Sequence, residues 1–81
     1  MTVRVLFFSV LRDIASGEEL SIQVPSGATV ATVLEECISR WPKLRDWDAS
    51  LLVAVDQSYA KRSTRVSENA EIAIMPPVQG G

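Results

Sequence analysis

Thr29-Val30-Ala31-Thr32-Val33-Leu34-Glu35-Glu36-Cys37-Ile38-Ser39-Arg40-Trp41-Pro42 places its apolar residues at a helical period. Val30, Val33, Leu34, Cys37, Ile38 and Trp41 fall at i, i+3, i+4, i+7, i+8 and i+11, which is one stripe along a helix. Thr29 is a good N-cap. Pro42 stops the helix and biases Trp41 away from helical angles. This is the one clear helix in the chain, so whatever it packs against must be built from strands.

Outward from the helix, strands are legible on both sides. Val3–Phe8 is β-branched and aromatic, with apolar groups on both faces. Such a strand is either covered on each side or keeps one face for a partner. Leu11–Ala15 reads as a short helical turn closing at Gly17. Glu19–Val24 alternates, with Leu20, Ile22 and Val24 inward. Pro25-Ser26-Gly27 is a turn. Lys43–Ser50 reads as a polar connection, in which Trp47 is either a lid on the core or a surface contact. Leu51–Val55 is fully apolar and reads as an interior strand. After a turn at Asp56-Gln57-Ser58, Tyr59-Ala60 makes a brief return strand. Lys61, Arg62 and Arg65 read as a solvated basic loop. Asn69 is suited to a left-handed turn before Ile72–Met75, the last strand. The first and last strands can lie side by side, because the helix supplies the crossover that parallel pairing requires. One amphipathic helix on one face of a mixed sheet of four to five strands is an α+β roll, the β-grasp or ubiquitin-like arrangement. The expected division is a β-grasp domain over residues 1–75 and a flexible, extended tail over residues 76–81.

Composition narrows the chemistry. The chain has 81 residues, 47% of them hydrophobic, which is enough for one packed core. Ten acidic and eight basic residues leave a net charge of −2, which argues against a nucleic-acid partner. There is no histidine, so a His-based triad or a His-ligated metal is excluded. The single Cys37 has no disulfide partner and reads as a small buried apolar residue rather than a nucleophile or persulfide carrier, with no cation placed to lower its pKa. With no signal-like segment and no apolar run of transmembrane length, the expectation is a cytoplasmic protein without a membrane partner.

The sequence closes on Met75-Pro76-Pro77-Val78-Gln79-Gly80-Gly81. Two prolines end a sheet ladder and favour an extended projection. Gly80 and Gly81 are thin enough to enter a channel that admits no Cβ, and Gly81 carries a terminal carboxylate. Taken alone, this segment reads either as a functional tail or as an ordinary frayed terminus.

Val3–Phe8, Leu11-Arg12-Asp13, Gly27–Val30, Leu52–Gln57 and above all Pro76–Gly81 resemble the small-subunit family of molybdopterin synthase, the sulfur carriers of molybdenum-cofactor biosynthesis. The resemblance spans the whole chain. It implies that an ATP-using, ubiquitin-activating-like adenylyltransferase converts Gly81 to a glycyl adenylate. A sulfur donor then makes the 1-thioglycine thiocarboxylate. The tail, through Pro77, Val78, Gln79 and Gly80, inserts into the large synthase subunit and gives sulfur to cyclic pyranopterin monophosphate. The family assembly is a heterotetramer centred on two large subunits. No cofactor is stably bound and the small domain is not catalytic alone. The resemblance further implies an apolar contact surface at Phe8, Tyr59 and Met75, and Arg12 matches a family arginine. Asp56, Asn69, Met75 and Gln79 depart from the commonest family residues without touching the reactive end. Competing readings are a sulfur carrier of thiamine thiazole synthesis, a ubiquitin-like protein modifier, and a plain β-grasp interaction module.

Overall fold

The computed structural model describes residues 1–15 and 17–77, so Val78, Gln79, Gly80 and Gly81 of the expected tail lie outside the described residues. In chain order the elements are β1 (Thr2–Phe7), α1 (Val10–Ala15), β2 (Glu19–Gln23), α2 (Val30–Arg40), a 3-10 helix (Pro42–Ser50), β3 (Leu52–Val55), β4 (Ser58–Tyr59) and β5 (Glu71–Met75). The five strands form one sheet in the order β2-β1-β5-β3-β4. β1 and β5 are parallel neighbours at its centre, with Arg4 opposite Glu71 and Phe7 opposite Ile74. Every other pairing is antiparallel. The expected mixed β-grasp sheet, with first and last strands adjacent, is the observed one.

The pleat decides which side of the sheet becomes core. Val3, Val5 and Phe7 of β1, Ile22 of β2, Val53 of β3, and Ile72 and Ile74 of β5 share one buried cluster with the α2 stripe. Within α2, Val30, Val33, Leu34, Cys37 and Ile38 are buried, as the period requires. Trp41 ends the helix and meets Phe7 edge-on, with ring centroids 5.5 Å apart. That T-shaped contact favours the positive ring edge over the negative face.

The start of α2 is closed by its own chain. The Thr29 Oγ1 accepts from the Thr32 N–H (3.4 Å), and the Thr32 Oγ1 accepts from the Thr29 N–H (3.2 Å), a reciprocal capping box. The Val30 and Ala31 N–H groups donate to the carbonyls of Thr64 and Arg62, both at 2.9 Å. The helix N-terminus therefore has no free donors to offer an anion.

Two loop readings are corrected. Lys43–Ser50 is not a plain polar connection but most of a nine-residue 3-10 helix. Pro42 opens it at a position that needs no N–H, and Leu44 anchors it in the core. Trp47 is half-buried against that core, which makes it a lid. Arg62 is not simply solvated. Its guanidinium donates to the Asp48 carboxylate (2.9 Å) and to the Asp48 carbonyl, tying the loop before β5 to the 3-10 helix.

Ile74 is fully buried between β1 and β3. Ile74→Ala should lower the unfolding free energy in urea by about 2–5 kcal/mol. Thr29→Ala, which removes the cap, should lower it by about 1 kcal/mol.

Candidate functional site: the uncovered face of the sheet

One helix covers one face, and the residues that alternate with the core occupy the other. The registers set them out in rows. The first row is Ser21, Arg4 and Glu71. The second is Glu19, Leu6, Ala73, Ala54 and Tyr59. The third contains Met75 opposite Leu52, with Phe8 prolonging β1 beside them. The face is thus charged where β1 begins and apolar where β5 ends. None of Leu6, Leu52, Ala54, Ala73 and Met75 belongs to the core under α2.

The middle of this face is a groove of about 360 Å³. Ala54 and Ala73 form its floor, because small residues sit there between larger neighbours. Phe8, Tyr59 and Met75 stand around it, with Gln57 and Glu71 at the polar end. Phe8 is 41% exposed and Tyr59 74%. Aromatic side chains held this far into water around an apolar floor are characteristic of a contact surface.

Local backbone geometry holds each wall in place. The Phe8 N–H donates to the Ile74 carbonyl (3.2 Å), and the Phe8 carbonyl accepts from Leu11 (3.2 Å). Both backbone groups of Phe8 are therefore engaged. Ser9 then takes a left-handed conformation, φ 57°, which turns the chain into α1. Tyr59 is placed by a tight β3–β4 turn in which Asp56 and Gln57 both have positive φ, 49° and 72°. A non-glycine pair pays conformational strain there. Compensation comes from β5: the Asp56 N–H donates to the Glu71 carbonyl (2.9 Å), and the Asp56 Oδ1 accepts from the Glu71 N–H (3.0 Å). Met75 is the last residue of β5, and the half-buried Pro76 and Pro77 follow it directly. Pro76 and Pro77 therefore leave the sheet at the apolar end of the groove.

Phe8, Tyr59 and Met75, singled out from sequence, are brought together. Arg12 is not. It lies on α1 in an ion pair with Glu18 (3.0 Å), beside a separate recess lined by Ser9, Asp13 and Gly17. Leu6, Leu52, Ala54, Ala73 and Glu71 were not singled out. The available signal was the helix count: with one helix to cover the sheet, an all-apolar strand such as β3 must show every second residue on the bare side.

No three His, Cys, Asp or Glu side chains among the described residues are grouped to hold a metal. Nor is any described helix long and apolar enough to cross a membrane. Cys37 is buried in the core.

The ThiS family profile matches residues 5–81. The chain belongs to the ThiS family. It is 30% identical over 79 residues to the molybdopterin synthase sulfur carrier subunit of Arabidopsis thaliana, covering 98% of this chain and 82% of the relative. In fold it is similar to a Pyrococcus furiosus protein described as molybdopterin converting factor, subunit 1 (TM-score 0.87, 28% identity, 96% and 99% of the two chains). It also shares its fold with a chain in the Helicobacter pylori complex of subunits 1 and 2 of molybdopterin-converting factor (TM-score 0.70, 22% identity, 100% of both chains). The ThiS-family β-grasp is thus the scaffold on which the bare sheet face and the tail root sit.

Burial pushes the Cys37 thiol from 9.0 up to about 12. Arg40 pulls the other way, so a cation is present after all, but loss of hydration outweighs it. The native thiol should resist alkylation at pH 8 and react only after unfolding. Because the folded pKa is the higher one, its contribution to stability is complete below pH 9.0 and is lost as pH rises towards about 12. Urea midpoints of wild type and Cys37→Ala measured across that window should converge.

Proposed function

We propose that this ThiS-family chain is the sulfur-carrier small subunit of a molybdopterin synthase. The observation that carries the reading is the rooting of the Pro-Pro-Val-Gln-Gly-Gly segment at an exposed apolar face. A carrier must present its reactive end to one protein for loading and to another for delivery. A single docking face beside the tail root lets each partner orient the tail by gripping the domain. The name borne by the Arabidopsis relative supports the same assignment.

In this reading the Gly81 carboxylate attacks the α-phosphorus of ATP on an adenylyltransferase, releasing pyrophosphate. Adenylation is needed because a carboxylate is a poor electrophile without a leaving group. A sulfur donor displaces AMP and leaves a thiocarboxylate, whose sulfur is polarisable and nucleophilic. Two successive deliveries to cyclic pyranopterin monophosphate on the large subunit supply the two sulfurs of the dithiolene, and hydrolysis returns each carrier's carboxylate. Gly80 and Gly81 contribute slenderness, Pro76 and Pro77 reach, and Phe8, Tyr59 and Met75 the grip. Acid, base and metal chemistry falls to the partners. The working site is the cytoplasm, where ATP and those partners are available.

Intact mass tests the carrier step. After incubation with ATP, the adenylyltransferase and a sulfur donor, the mass should rise by the exchange of one oxygen for sulfur, and deleting Gly80 and Gly81 should abolish the gain. Full cofactor formation by the deletion variant would sink the assignment. An isopeptide link to a lysine of another protein, in place of the mass gain, would favour the protein-modifier reading. Phe8→Asp should leave the fold intact but weaken large-subunit binding by at least about 2 kcal/mol, roughly 30-fold in Kd.

A further inference from the structure

The groove has a charged end that apolar docking alone leaves unused. Glu71 is half-buried at the head of β5 and forms part of the groove lining. Its register neighbour Arg4 pairs instead with Glu19, at 3.9 Å. Asp56 is held against the Glu71 backbone by the two hydrogen bonds described above. Among the described residues neither Glu71 nor Asp56 has an ion-pair partner. Covering this end with an apolar surface would strip water from a carboxylate and give nothing back. Arg4 shares a recess with Glu71, Asp56 and Gln57 but pairs with Glu19, so a partner that seals the groove gains by bringing a second cation to Glu71.

The shape of the groove narrows that cation further. An alanine floor leads from the apolar walls to Glu71, so the occupant should be apolar along its length and charged at its tip. Lysine and arginine side chains have this form. The exposed Tyr59 ring adds a π face beside the path. We infer that the groove receives a basic side chain of the large synthase subunit, its methylene stem over Ala54 and Ala73 and its charged head at Glu71. The inference rests on the docking face proposed above and adds the chemistry of what fills it.

The test is binding kinetics with the large synthase subunit over a range of salt concentrations. Glu71→Gln keeps the shape and removes the charge. It should weaken binding roughly tenfold or more and flatten the salt dependence. Asp56→Asn keeps the Oδ1 acceptor and tolerates the positive φ, and should act in the same direction with a smaller effect. Ala54→Leu, which raises the floor, should weaken binding while the urea midpoint stays near that of wild type. If Glu71→Gln binds within twofold of wild type with an unchanged salt slope while Phe8→Asp abolishes binding, the groove takes an apolar side chain and the inference is overturned with the docking face intact. If Phe8→Asp also binds as wild type, the docking face itself falls.

Discussion

The parallel pairing of β1 with β5 is the constraint from which the rest follows. Hydrogen bonds between the first and last strands require a crossover, and α2 is the element that makes it. A single crossover helix can shield only one side of a five-stranded sheet. β1, β3 and β5 carry apolar residues on both sides towards the end of β5, so the unshielded side is left with Leu6, Phe8, Leu52 and Met75 facing outward. The bare face is thus a direct result of how the chain closes its sheet.

The same closure fixes where chemistry can leave the domain. Because β5 runs parallel to β1 in mid-sheet, its end at Met75 lies beside Phe8 and not at an outer edge. Strained turns flank the groove at both of its ends. Ser9 redirects the chain immediately after Phe8, and Asp56 and Gln57 set Tyr59 on the opposite wall. Positive φ at non-glycine residues persists where surrounding bonds over-determine the backbone, and here the bonds from β5 do so. The polar groups at the other end of α2 are consumed internally, which leaves the sheet face as the surface fitted for recognition.

Much of this was legible from residue pattern. The α2 stripe, its Thr29 cap, the Asn69 turn and the adjacency of the outer segments in sequence are local signals with strong periodicity, and Asn69 does sit at φ 64°. The 3-10 helix was hidden because a tighter helix lacks the repeating apolar face that marks an α-helix; Leu44 is its only buried residue. The Arg62–Asp48 tie was hidden because the two residues are far apart in sequence. Phe8, Tyr59 and Met75 were legible through the family resemblance, and Phe8 also because Phe7 and Phe8 must point to opposite faces of one strand. Ala54 and Ala73 were missed because a groove is made by what is small, and a small residue in an apolar run gives no sign of which side it faces.

The position of β5 also bears on synthesis and turnover. Its five residues complete the centre of the sheet and stand directly before the Pro-Pro segment. Contacts between the two ends of a chain are slow to form, because loop closure must precede them. A nascent chain therefore cannot assemble its contact face until β5 has emerged from the ribosome. A chain clipped at the head of β5 loses Ile72, Ile74 and Met75 together, and with them both the core and the grip. Only molecules made through Met75 present the grip to partners, so the fold itself reports that synthesis has reached the base of the tail.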